Sequence, residues 1–216
     1  MGRPKKDETG SEPTRERLIT AAAELFATRG YDAASVRDIT RAIGLNEASL
    51  YNHFDGKAGL LDAVFRRLSE RMVAPGFAES KAFLDATLER HGKKPNIAEL
   101  ILGGAKVFFA RADADMLKTW RILVSTEFFH EAARDGVKKH FLQTPREYFR
   151  AMLKDLRARG LIRADADCLA AADCLVAVFF EFSFESNLDL AWNEPSASVR
   201  ERMRRSVTLI AHSLEE

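Results

Sequence analysis

Between residues 35 and 53 two helical signals, each about two turns long, meet at a single glycine. Helices this short are marginal in water unless they pack against something. Ser35-Val36-Arg37-Asp38 opens the first as a capping box with Asp in place of the usual Glu, and that helix ends at Gly44. Asn46 opens the second, which runs to about His53. Ile39 and Ile43 face inward from the first, and Leu50 and Phe54 do so from the second, so Gly44-Leu45 is the tight turn of a helix-turn-helix. Asn46, Glu47, Ser49, Asn52 and His53 are left facing outward. A helix that reads DNA needs this division, an apolar underside fixing its tilt and a short polar side for the major groove. An ordinary helical hairpin shares the pattern, and spacing alone leaves both readings open.

The rest of the chain is also helical in pattern. Alanine, the strongest helix former, supplies 32 of the 216 residues, against only 12 glycines and 6 prolines. Residues 1–13 are polar, carry Pro4 and Pro13, and read as a flexible basic arm. Thr14 to Arg29 is a helix closed by Gly30. A fourth helix runs from about Lys57 to Met72, and Pro75-Gly76 is expected to break the chain. That break divides it into a smaller helical domain, 14–74, which holds the helix-turn-helix candidate, and a larger one, 75–216. Helices are expected at about 79–91, from the Asn96 cap, and at 115–129, where Trp120, Val124 and Phe128 stack at i, i+4 and i+8. Thr144-Pro145 either starts a helix to Arg159 or kinks one begun near Glu131. Asp167 to Leu188 and a helix capped by Ser198 complete an all-α fold.

Several function classes find little support. Net charge is +1, and residues 1–60 hold nine Lys or Arg against nine Asp or Glu, so no basic domain announces a polyanion partner. Cys168 and Cys174 are six apart on one helix and point to different faces, which argues against a disulfide. The N-terminus has no apolar signal segment, and no apolar run approaches the ~20 residues of a membrane span, so the cytoplasm is expected. His130-Glu131-Ala132-Ala133 begins like a zinc motif but places Arg134 where the second histidine belongs. No phosphate loop or G-x-S-x-G is present. No metal, cofactor or catalytic residue is expected.

The residues themselves carry more. Thr14 to Phe65, including AAAELFATRGYDAASVRDIT, the turn Gly44 and SLYNHFDGKAGLL, closely resembles the N-terminal domain of TetR-type (tetracycline-repressor-like) transcriptional regulators. The resemblance implies a homodimer on a double-stranded, palindromic operator, usually a repressor, released by a small-molecule effector in the C-terminal domain. It implies phosphate contacts for Tyr51, His53, Lys57 and Ser35, with Lys57 adding its charge to a helix N-terminus. Asn46, Glu47, Ala48, Ser49 and Asn52 remain as base-edge candidates. Three departures from the family pattern stand out. Glu47 replaces a common basic residue, and its carboxylate suits either a cytosine amine or a helix first turn. Thr40 replaces a common alanine, and Gly56 with Gly59 replaces the usual cap of the fourth helix. Arg3, with Lys5 and Lys6, is a candidate for a minor-groove arm.

Aromatics concentrate beyond residue 107 and suit either a core or a cavity for an apolar or aromatic guest. Phe108, Trp120, Val124, Phe128, Tyr148, Met152, Phe179 and Phe182 are the pocket candidates. On the 167–188 helix, Phe180 and Phe184 fall on a second apolar side. With Val199, Met203, Val207 and Ile210 of the last helix they are expected to form a dimer interface of four helices. Glu127, Glu181 and Glu185 either form a solvated acidic strip or neutralise a cationic ligand.

Overall fold

The computed structural model describes residues 13–90, 95–110, 114–191 and 197–215, and among them every regular element is helical. The order is α1 (Thr14–Arg29), α2 (Val36–Ala42), α3 (Glu47–Tyr51), α4 (Gly56–Leu68), α5 (Ala74–Arg90), α6 (Ile97–Phe109), α7 (Ala114–Thr126), α8 (Glu131–Val137), α9 (Thr144–Ala158), α10 (Cys168–Ala191) and α11 (Ala197–Glu215). None of the helices described is long and apolar enough to cross a membrane. The arm, Arg3 included, lies outside the described residues.

Local chemistry sets the starts of the short helices. The Ser35 hydroxyl oxygen accepts from the Asp38 amide at 3.1 Å, while Asp38 accepts from the Ser35 amide at 3.1 Å, a reciprocal capping box. Asn46 Oδ1 accepts from the Ser49 amide at 3.0 Å and starts α3; Asn96 does the same for α6 through the Glu99 amide at 3.0 Å. Each such cap is worth about 1 kcal/mol. Gly44, at φ 72°, makes the turn between α2 and α3 without the Cβ penalty of the left-handed region. Thr40 is fully buried beside that turn. Its hydroxyl donates to the Val36 carbonyl at 3.1 Å, so no polar atom goes unmet and the two helices close.

The break expected at Pro75-Gly76 does not occur. Helix α4 passes through a π-helical stretch, Ser69–Val73, directly into α5, with Pro75 in the first turn. A second π-stretch, Lys138–Gln143, joins α8 to α9 just ahead of Pro145. The Ala74 and Thr144 amides each reach the carbonyl five residues back, Ser69 and Lys139. A proline removes one i→i−4 donor, and the wider register skips a residue without ending the helix. Thr144-Pro145 thus sits within a run begun at Glu131.

Two cores result, and they do not follow the chain order. The first joins α1–α4 to Ile122 and Leu123 of α7 and Ala133 of α8. The second is built from α5, α6, α9, α10 and α11. In that second core α10 and α11 run antiparallel. The Arg163 amide donates to the Leu214 carbonyl at one end, and Arg202 bonds Glu185 at 2.7 Å toward the other. Cys168 is buried and Cys174 exposed, on different sides of α10.

Candidate nucleic-acid interface and ligand cavity

Helix α3 stands on a buried Leu50, with Phe54 just beyond its end, and turns a polar surface outward. Asn46, Glu47, Ala48, Tyr51, Asn52 and His53 are exposed and Ser49 is half-buried. Tyr51 is 61% exposed, so its ring is not a core residue and its phenol is placed for an outside partner. The side chains of Asn46 and Ser49 are partly occupied by each other: besides the cap, Ser49 Oγ donates to Asn46 Oδ1 at 3.0 Å. The Ser35 hydroxyl likewise donates to Asp38 at 2.5 Å, and this bond holds the Asp38 carboxyl below its usual range. A phosphate contact from Ser35 requires that proton to turn away from Asp38. Helix α4 has no side-chain cap, in keeping with Gly56 and Gly59.

Lys57 is half-buried at the start of α4. Its Nζ lies 4.2 Å from the centroid of the Tyr31 ring and donates to the Asp32 carbonyl at 3.3 Å. Burial pushes its ammonium below the ordinary lysine value, with Asp32 opposing. The His130 ring, at the α7–α8 corner, meets Tyr31 at 4.2 Å between centroids.

A cavity of about 100 Å³ lies in the larger helical part, walled by Phe77, Ile101, Phe108, Phe109, Trp120, Phe141, Tyr148, Phe149, Met152, Val176, Phe179 and Phe180, among others. That is the scale of cavities that admit a single small ring, roughly 150 Å³. Its walls interlock: Phe77 packs on Phe108 at 4.7 Å and on Tyr148 at 4.8 Å, and Phe149 stacks on Phe179 at 5.4 Å. Gly76 makes room for one wall, since a Cβ there would lie 2.7 Å from Phe108 Cδ2. Polar atoms are few. Burial pushes the Tyr148 phenol up to about 12, against a hydrogen bond with Ser80. His140, Ser183 and Asn187 also line it. Burial, with Lys139 adding to it, pushes the His140 imidazole below its ordinary value. Among the described residues no Asp, Glu, Lys or Arg lines the cavity.

Of the expected pocket residues, Phe108, Trp120, Tyr148, Met152 and Phe179 are brought together there. Val124, Phe128 and Phe182 are not. Helix α7 ends at Thr126, so the stripe through Trp120 does not reach Phe128, which is 85% exposed on the following turn. Val124 is half-buried away from the cavity. Phe182 is buried under Arg202, whose guanidinium carbon sits 5.1 Å from the ring centroid. Of the expected dimer residues, Phe180 turns into the cavity, and Phe184 packs on Trp120 at 5.2 Å. Val199 and Val207 are buried within the chain's own fold, leaving Met203 and Ile210 half-buried. Glu181 and Glu185 pair with Arg202, so they face away from the cavity and offer nothing to a cation inside it. The sequence reading missed Phe77, His140, Ser183 and Asn187. Phe77 and Ser80, i and i+3, would have stood out had the helix been carried through Pro75.

Comparison with known proteins agrees with this arrangement. Residues 18–64 match the family model of bacterial regulatory proteins, tetR family. Over 143 residues the chain is 28% identical to the HTH-type transcriptional regulator UidR of Escherichia coli K12, covering 61% of this chain and 70% of that one. GusR of Salmonella enterica superposes with a TM-score of 0.67 at 21% identity, over 96% of this chain and 100% of that one. A SmeT–triclosan complex gives 0.68 at 17% identity, over 95% and 93%. The polar α3 on its apolar seat lies inside the matched segment, so residues 18–64 carry the helix-turn-helix domain of bacterial regulatory proteins of the tetR family, and the longer match is to a transcriptional regulator.

Proposed function

We propose that the chain is a homodimeric repressor that binds a palindromic operator through α3 and leaves it when an uncharged apolar or aromatic molecule enters the cavity. The observation that carries this reading is the pairing of two surfaces. An exposed polar recognition helix lies at one end of the α4–α5 run, and Val73 and Phe77 of the same run wall an apolar cavity. The absence of acidic or basic side chains among the described lining residues supports an uncharged guest. His140, Asn187 and the Tyr148 phenol supply hydrogen-bonding for one or two polar groups on it.

The surface left for a second subunit is the outer side of α10 and α11. Arg202 bridges to Glu181 and Glu185, which places its side of α11 beside the exposed side of α10. One heptad along α11, Leu209 is 73% exposed, and the antiparallel pairing sets it near the exposed Cys174 and Ala177. On a palindromic operator the two α3 helices of such a dimer meet successive major grooves, about 34–36 Å apart.

Selection of bound duplexes from a random DNA pool tests the reading. Enrichment of a palindrome, and its release by an uncharged single-ring aromatic, are the expected results. Recovery of no enriched sequence would overturn it.

A further inference from the structure

Three side chains from three parts of the chain converge beside the DNA-reading helices. Tyr31, in the turn between α1 and α2, is buried and packs on Phe26 of the first core at 5.0 Å between centroids. Lys57, at the start of α4, rests its ammonium on that ring at 4.2 Å and on the Asp32 carbonyl at 3.3 Å. His130 comes from about a hundred residues further along the sequence, at the corner between α7 and α8. Its ring meets Tyr31 at 4.2 Å and 62°, and its Nε2 lies 3.6 Å from Asp32 Oδ1. The Tyr31-Asp32 turn is therefore held on one side by the larger helical part and in turn holds Lys57.

We propose that His130 is a positioning residue for DNA binding: it fixes the Tyr31-Asp32 turn, which seats Lys57 for its phosphate. The inference rests on Lys57 meeting a phosphate, as proposed above. The chemistry favours a seat of this kind. A lysine stem is flexible and loses about 2 kcal/mol of rotamer freedom when fixed, so a ring and a carbonyl that already confine the ammonium reduce the loss on binding. One N–H given to Asp32 leaves two donors for a phosphate oxygen. Without the His130 ring, the exposed turn has one fewer neighbour to hold it, and the ammonium moves with the turn.

Salt dependence separates this from a general structural role. The probe is a fluorescent duplex carrying the sequence enriched from the random pool, titrated with full-length protein over a series of salt concentrations. Loss of one phosphate contact lowers the slope of log affinity against log salt by about 1. Lys57→Ala, which removes one contact from each subunit of the proposed dimer, is expected to lower it by about 2. His130→Ala is expected to weaken binding several-fold and to reproduce part of that change in slope, with an unaltered melting temperature. His130→Phe, which keeps a ring against Tyr31, is expected to restore both. In the Lys57→Ala background His130→Ala is expected to have no further effect, because the two act in series.

If Lys57→Ala lowers the slope while His130→Ala does nothing, the positioning role is overturned and the phosphate contact stands. Additive effects of the two substitutions overturn it as well. An unchanged slope in Lys57→Ala removes the phosphate contact itself, and the positioning role falls with it.

Discussion

The Arg17 guanidinium donates to the Ile43 carbonyl at 2.8 Å, tying the first turn of α1 to the end of α2. The carbonyls that end a helix have no partner within it, and here one is met by a cation carried on another helix. Replacing Arg17 with Met keeps much of the stem and removes the donor. The expected loss is about 1–2 kcal/mol of stability, read from urea unfolding, with weaker operator binding because the turn at Gly44 loses its anchor. Unchanged stability and affinity would show the bond to be dispensable.

Gly76→Ala tests how tightly the cavity wall is built. The new Cβ would lie 2.7 Å from Phe108 Cδ2, so the ring must shift. Overpacking of this kind costs about 1–3 kcal/mol. The expected outcome is a lower urea midpoint together with a smaller thermal shift on adding an uncharged aromatic, since Phe108 is a wall of the site.

His140 gives the fold a mild sensitivity to acid. Burial, with Lys139 adding to it, holds its imidazole below the ordinary 6.5, so the native state binds a proton less readily than the unfolded chain. Stability is unaffected by this group well above 6.5 and falls as pH drops from there toward the native value. The urea midpoint followed from about pH 7.5 to about pH 5.5 is expected to decline less in His140→Gln than in the parent. Equal declines would show that His140 is not the group responsible.

Leu209→Glu addresses assembly. The side chain is 73% exposed, so the substitution leaves the chain's own core alone. Light scattering is expected to show a dimer for the parent and a monomer for the variant, with loss of tight operator binding. A dimer that survives the change would move the interface off this surface.

Helix starts were legible because their causes are local. Ser35 with Asp38, and Asn46 with Ser49, place donor and acceptor three residues apart, and the structure closes those bonds. The inward set of Ile39, Leu50 and Phe54 followed from the same periodicity. The outward set on α3 was legible for that reason too. Pro75 and Pro145 were harder, because a proline only forbids one bond, and whether the helix breaks or widens depends on what packs around it. Phe128 was misplaced by extending a stripe past a helix end that no strong local signal marked. The aromatics of α10 were sorted onto two sides by angle, but which neighbour each side meets is decided by α7, α11 and the π-stretch at 138–143. Phe180 and Phe184 therefore turned inward and Phe182 went under Arg202.

Where Pro75 would have supplied a pliable linker, the helix carries straight through, and one rod joins the start of α4 to the cavity wall beside the packing of α4 on α7 and α8. From Val73, a wall of the cavity, to Gly56 is 17 residues of helix, about 26 Å at 1.5 Å per residue. Val73 also closes the π-stretch, where the rod's register is already widened. A tilt of about 10° at that point would carry the far end roughly 4 Å on this length, enough to lift a donor off a phosphate.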